Sequence, residues 1–343
     1  MAFIERLQAA PREGGFRMEG YWVWCGSVIQ GEDGRYHMFA ARWPHELPFF
    51  DGYRCYSEVV RAVSDSPEGP YAFQEVVLPP RGERFWDGRM THNPTIHRCG
   101  DTYLLFYIGA TYAGPGPSAE ELRAKSSAKP QESYASIQIG LATARSVCGP
   151  WTRSDEPVLK PRPGRWDGTI VTNPAPCVLP DGRILLYYRA NTPNGLRIGA
   201  SMADELGQPF QRVADDPVLV FGGDNHVEDP YVWWAGDHLE LLAKDMTGGL
   251  SGELHAGIHA TSPDGLSWTL SSPPKAYSRR VAWDDGEVVV QGCLERPQLL
   301  LHNGQPTHLF AAVADGPGGF NHATETWNMV IPLSTTHRLK EAR

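Results

Sequence analysis

Glu228-Asp229-Pro230 and Glu295-Arg296-Pro297 each stand directly before a run of apolar residues, which puts three carboxylates at matching points of two strands. Carboxylates brought close together push one another's titration apart, so that one can stay protonated as an acid while another stays charged. Cleavage of a glycosidic bond needs such a pair, ~5–5.5 Å apart for retention and ~6.5–9.5 Å for inversion. Glu295 is the candidate acid, with Asp229 and Glu228 holding the pair. Arg296 beside it would lower a carboxylate's pKa and favour an ionised base instead, and the residues alone leave both assignments open.

A second repeated pattern joins an aromatic to a carboxylate. Trp86-Asp87-Gly88 precedes Asn93, Trp166-Asp167-Gly168 precedes Asn173 at the same spacing, and Trp283-Asp284-Asp285-Gly286 precedes Glu295. Tryptophan faces stack on sugar rings and aspartates accept sugar hydroxyls, so Asp87 and Asp167 are candidate catalytic residues and Trp86 and Trp166 candidate binding residues. The competing reading is that the aspartate caps a turn and the tryptophan packs between sheets. His92, Asn93 and Asn173 are expected to hydrogen-bond a ligand, with Trp24, His226 and His322 as further candidates. Arg42 and Trp43, in a long connection that also holds Asp51, would close a pocket wall. Arg296 would orient Glu295.

The elements that must position these groups repeat five times. The openings Cys25-Gly26-Ser27, His92-Asn93-Pro94, Thr172-Asn173-Pro174, Glu228-Asp229-Pro230 and Glu295-Arg296-Pro297, counted on their second residues, fall at 26, 93, 173, 229 and 296. Each leads into an apolar strand, a hairpin turn and a second apolar strand, and repeats two and three go on to an Ile-Gly step, Ile139-Gly140 and Ile198-Gly199. Strand units of this period cannot bury their faces alone and predict an all-β, five-bladed β-propeller, one domain over 1–343, with the five openings around one axis. The fifth blade is a strand short, and the segment around Phe16-Arg17-Met18 is expected to complete it. Ser118–Ser127 is the best candidate helix.

Composition narrows the functional classes. Of 343 residues, 41% are hydrophobic and 21% charged, as in a chain with a large core, and the net charge of −9 with no basic cluster excludes a nucleic-acid footprint. No apolar run is long enough to cross a membrane or to serve as a signal peptide at the start MAFIERLQAAPREGG, which reads as cytoplasmic. Cysteines 25, 55, 99, 148, 177 and 293 lack CxxC spacing and read as reduced thiols. The twelve histidines show no metal-ligand spacing. No cofactor is expected, although the axis leaves room for a divalent cation, and the sequence leaves room for a homo-oligomer.

The E-D-P-aromatic opening at 228–231, the E-x-P opening at 295–297 and the two N-P openings resemble those of the five-bladed propeller glycosidases of glycoside hydrolase families 43 and 117. The resemblance implies an Asp base, an Asp that tunes pKa and orientation, and a Glu acid, acting on arabinose, xylose or anhydrogalactose linkages. It implies Asp229 as the tuning residue and Glu295 as the acid. The family-43 base precedes the first-blade proline, a place this chain fills with Gly26 beside Cys25, so the base is expected at Asp87 or, second, Asp167. The E-D-P opening is also similar to that of family 130 mannoside phosphorylases, whose phosphate site Arg42, Arg89, Arg189, Arg197 and Arg296 could supply. The expected function is a glycoside hydrolase on a small oligosaccharide, exo-acting and inverting. The rivals are a phosphate-dependent phosphorylase and a sugar-binding propeller without catalysis.

Overall fold

The computed structural model describes residues 1–316 and 318–334. Four antiparallel four-stranded sheets and one of three strands follow one another along the chain. Their innermost strands are Tyr21–Gln30, Met90–Cys99, Thr172–Val178, Val227–Trp234 and Cys293–His302. Each touches the next, and the last returns to the first, so the sheets form the five blades of a β-propeller. Among the described residues no helix is long and apolar enough to cross a membrane.

The core lies between blades rather than at the axis. Leu104, Phe106 and Ile108 of blade two pack on Ile184 and Leu186 of blade three. Tyr187 and Ile198 meet Leu241 and Ile258 of blade four in the same way. Each sheet is apolar on both faces because each face is covered by a neighbour.

Blade five has three strands of its own, ending in Thr326–Pro332. Phe16 completes it: its amide donates to the Asn328 carbonyl at 2.9 Å and its carbonyl accepts from the Asn328 amide at 3.0 Å. Leu7 pairs with Leu333 further along. The N-terminal segment thus closes the ring, through isolated pairings instead of the full strand expected, with the Phe16 ring buried against Val23, Phe310 and Val330.

The expected helix at Ser118–Ser127 is a short one, Ala119–Arg123, capped by Ser118, whose Oγ accepts from the Glu121 amide while Glu121 accepts from the Ser118 amide. Two further helices were not anticipated, Phe49–Tyr56 and Lys129–Ala135. The first occupies the long blade-one connection. Gly52 sits in its interior where a Cβ would come within 2.9 Å of Trp43 and Leu47, so a residue that weakens helices is what lets this one pack.

All five openings share one backbone device. Cys25, Asn93, Asn173, Asp229 and Arg296 are left-handed, with φ between 49° and 57°, and the pairing register of each blade slips at that point. This is a β-bulge, which bends the strand and re-aims side chains. Asn and Asp tolerate the left-handed region, whereas Cys and Arg are strained in it. The bulge also corrects the count in blade one: Cys25, not Gly26, is equivalent to Asn93, and Gly26 takes the place of proline.

Candidate active site

Around the axis the five left-handed residues are joined by a chain of hydrogen bonds, four through their side chains and Arg296 through its backbone amide. The Cys25 thiol donates to Asn93 Oδ1 at 2.8 Å, Asn93 Nδ2 donates to Asn173 Oδ1 at 3.0 Å, and Asn173 Nδ2 donates to Asp229 Oδ1. Asp229 Oδ2 accepts the backbone amide of Arg296 at 3.1 Å. A carboxylate only accepts, so Asp229 sets the direction of the chain: each amide must present its NH2 toward Asp229, and Cys25 at the far end must be a thiol. Burial pushes the Cys25 pKa well up, with nearby Arg296 opposing, which agrees with a protonated donor.

Above this ring opens a cavity of about 270 Å³. One residue before the left-handed position, blades four and five present Glu228 and Glu295. Directly across from Glu228 in the second strand of blade four, Leu239–Asp245, stands Lys244, and the equivalent place in blade three is Arg189, opposite Thr172. Lys244 Nζ lies 2.7 Å from Glu295 Oε1, 2.9 Å from Glu228 Oε2 and 3.9 Å from Asp229 Oδ2. Arg189 donates to the other oxygen of Glu228.

These neighbours separate the two glutamates. Burial pushes the Glu228 carboxyl up, but Lys244 and Arg189 overcome it and hold it at about 2. Glu295 has Lys244 alone against burial and the charges of Asp229 and Glu228, and is pushed up to about 7. Burial and Glu228 raise Asp229 as well. Burial opposes the Lys244 charge, but the three carboxylates outweigh it and keep the ammonium protonated. One carboxyl near neutrality beside one firmly ionised is the division that acid–base catalysis uses.

An aromatic wall faces these charges. The Phe49–Tyr56 helix supplies Phe49, Phe50, Tyr53 and Arg54, and Phe320 and Trp24 continue the surface. Phe49 and Phe320 stack at 5.1 Å, and Trp24 meets each of them edge-on. Tyr53 stacks on His92 at 4.7 Å, and His92 Nδ1 is hydrogen-bonded to Ser57 Oγ at 2.8 Å. Burial, reinforced by Arg296, lowers His92 to about 3, so it is neutral. Tyr134, from the Lys129–Ala135 helix, and His255 also line the cavity.

Of the residues expected from sequence, Trp24, His92, Asn93, Asn173, Glu228, Asp229, Glu295 and Arg296 are brought together here. Asp87 and Asp167 are not, which corrects the expected base. Asp87 is fully buried between blades, where it accepts from Arg81 at 2.6 Å, Tyr107 at 2.7 Å and Arg153 at 3.3 Å. Asp167 repeats this with Arg162, Tyr188 and Arg212. Trp86 stacks on Tyr107 and Trp166 on Tyr188. Gly140 and Gly199, the glycines of the two Ile-Gly steps, lie under those tryptophans, where a Cβ would come within 2.8 Å. The W-D-G motif is therefore a packing unit. Its third copy is tied to the chain start, with Arg12 over the Trp283 ring and paired to Asp285.

Four other candidates also lie outside the cavity. Arg42 is paired with Glu58 and sandwiched between Tyr21 and Phe73. Trp43 is buried behind the wall against Phe49 and His92. His226 binds the Asp224 carbonyl in a surface loop, and His322 is exposed on the outer side of Gly318. Of the expected phosphate-site arginines, Arg42, Arg89 and Arg197 are elsewhere, and only Arg189 and Arg296 reach the funnel. Among the described residues no cluster of three or more His, Cys, Asp or Glu is arranged to hold a metal ion. Sequence reasoning missed Lys244 and the Phe49–Tyr56 helix. Lys244 had a signal: a lone cation ending the apolar run Leu241-Leu242-Ala243 at the strand end nearest the axis.

No protein-family model and no curated protein matches this sequence. Solved structures do share its fold. The family 117 glycoside hydrolase Zg3597 of the marine bacterium Zobellia galactanivorans aligns with a TM-score of 0.63 over 96% of this chain and 88% of its own, at 16% identity. A thermostable family-43 glycoside hydrolase aligns at 0.62 over 95% of this chain and 92% of its own, at 14% identity. The catalytic domain of the Coprinopsis cinerea GH62 α-L-arabinofuranosidase aligns at 0.65 over 97% and 98%, at 12% identity. The resemblance read from the openings thus holds at the level of the five-bladed propeller fold.

Proposed function

We propose that the funnel is the active site of a glycoside hydrolase that acts on a small oligosaccharide or glycoside. The observation that carries this reading is the pair Glu228 and Glu295, on adjacent inner strands, with titration driven apart by unequal access to Lys244 and Arg189. Glu295 protonates the departing glycosidic oxygen. Glu228, always ionised, acts at the anomeric carbon.

The two glutamate oxygens that share Lys244 are less than about 6 Å apart, close enough for double displacement, in which the two carboxyls stand ~5–5.5 Å apart. Our reading therefore replaces the expected inversion, whose base was to be a rim aspartate, by double displacement. Glu228 forms a bond to the anomeric carbon as the glycosidic bond breaks. Water then cleaves the glycosyl ester while Glu295 takes its proton. A floor sealed by the five-residue ring supports exo action, because a chain end fits such a funnel and a through-running chain does not.

One observation favours binding without turnover: Lys244 already engages both glutamates. A panel of aryl glycosides and oligosaccharides, assayed for sugar release with wild type and Glu295→Gln, separates the readings. Release from oligosaccharides by wild type, lost in a folded Glu295→Gln protein that still binds sugar, supports hydrolysis. Unchanged release in the variant removes Glu295 from the mechanism, and no release by wild type leaves the binding reading.

A further inference from the structure

The chemistry of Arg296 bears on what the funnel takes. Its side chain is 3% exposed, and none of its three guanidinium nitrogens has a hydrogen-bond acceptor. Asp229 Oδ1, the nearest carboxylate oxygen, is 3.6 Å from Nη1 and already accepts from Asn173. A buried guanidinium with five N–H donors and no acceptor is costly to hold, and the fold adds a strained backbone at the same residue. Asp229 is paired with it by charge but spends both oxygens on other donors. Arg54 is matched by Asp51, and Lys244 and Arg189 are committed to Glu228 and Glu295. His92 beside it is neutral, and Glu295 carries its proton through much of the range below pH 7. The floor of the funnel thus holds a buried planar donor fork with no acceptor in hydrogen-bond reach, and that fork matches the two oxygens of a carboxylate or phosphate.

The geometry points to an anionic ligand group bound at Arg296: the substrate is a uronic-acid glycoside, or the site takes inorganic phosphate beside a neutral sugar. This rests on the glycosidase reading for the sugar but not for the anion. A neutral sugar has no acid group whose two oxygens would fill the fork.

The test is equilibrium binding by calorimetry of D-glucuronate, D-galacturonate and D-mannuronate against glucose, galactose and mannose, with inorganic phosphate as a separate arm. Arg296→Asn is the informative variant, because Asn93 and Asn173 hold the same left-handed position in blades two and three. Arg296→Lys, which keeps the charge but loses the fork, is the second. At least one uronate should bind roughly ten- to hundredfold more tightly than its neutral counterpart, or phosphate should bind and be required for cleavage, which tells the two sources apart. The preference should vanish in Arg296→Asn and be only partly kept in Arg296→Lys. Equal binding of all uronates and neutral sugars with no binding of phosphate overturns the inference, as does a preference that survives Arg296→Asn. Anion binding without turnover of any glycoside sinks the hydrolase reading alone, and cleavage of neutral glycosides with no anion preference sinks the inference alone.

Discussion

The backbone amide of Arg296 donates to Asp229 Oδ2 at 3.1 Å, while Nη1 of the same residue stands 3.6 Å from Oδ1. Arg296 thus ends the axial chain of hydrogen bonds with its main chain and leaves its side chain to the funnel. Asp229 in turn accepts on both oxygens, from blade three on one side and blade five on the other. Five blades are tied through one carboxylate whose chemistry dictates every donor around it.

That dependence predicts an order of costs. Asp229→Asn keeps the shape but puts an NH2 against either the Arg296 amide or Asn173 Nδ2. Turning Asn173 over only passes the conflict to Asn93. Urea unfolding should show a loss of about 1–3 kcal/mol, the range for a buried donor left unmet. Cys25→Ala removes only a weak terminal donor and should cost less. Equal losses, or a larger one for Cys25→Ala, would contradict the direction assigned to the ring.

Lys244 should be worth most to the fold. It is 3% exposed and lies within 4 Å of three carboxylates, and removing one partner of a buried ionic cluster costs about 3–5 kcal/mol because the others are left uncompensated. Lys244→Met should unfold at markedly lower urea. Combining it with Glu295→Gln should recover part of the loss, since the second change removes a carboxylate that the first stranded. Strictly additive losses in the double variant would show that the two groups are not coupled.

The openings were legible because each repeats within a periodic frame: an apolar strand must follow, and the blade period brings the starts of these strands to one axis. Glu228, Asp229 and Glu295 could be placed together on that ground alone. The W-D-G aspartates carried the same local signature whether they pointed to the rim or between blades. Only long-range partners decide it, Tyr107 with Arg153 for Asp87 and Tyr188 with Arg212 for Asp167. The Ile-Gly glycines, Gly140 and Gly199, were the overlooked clue, since a conformationally costly residue inside a strand marks a close approach, here of Trp86 and Trp166. The helix Phe49–Tyr56 was hidden by Gly52, and its function as an aromatic wall depends on packing against Trp43 that no local pattern encodes.

Because Asp87 is a packing residue in this account, its loss should separate stability from activity. Asp87→Asn takes a fully buried carboxylate from Arg81 and Arg153, although Arg81 keeps Asp155 and Arg153 keeps the Pro79 carbonyl, and should cost about 1–3 kcal/mol in urea. The rate per folded molecule should match wild type at a temperature where both are folded. Asp167→Asn should behave alike. A large fall in turnover at unchanged stability would return these aspartates to the mechanism.

The pH dependence follows from the two glutamates. Glu295 is raised from 4.5 to about 7 in the folded protein, so its contribution to stability is fully present below about 4.5 and is lost as pH rises through 7. Glu228 is lowered from 4.5 to about 2, so its contribution is fully present above about 4.5 and is lost as pH falls through 2. In catalysis Glu295 must carry its proton, so kcat/KM should fall as pH rises through about 7 while Glu228 stays ionised throughout the working range. On an aryl glycoside whose leaving group departs without a proton, Glu295→Gln should retain a measurable rate, whereas on an oligosaccharide it should lose roughly 10²–10⁴-fold. The residual aryl-glycoside rate of the variant should show no alkaline limb near 7. Persistence of that limb in Glu295→Gln would assign it to another group and take the acid role away from Glu295.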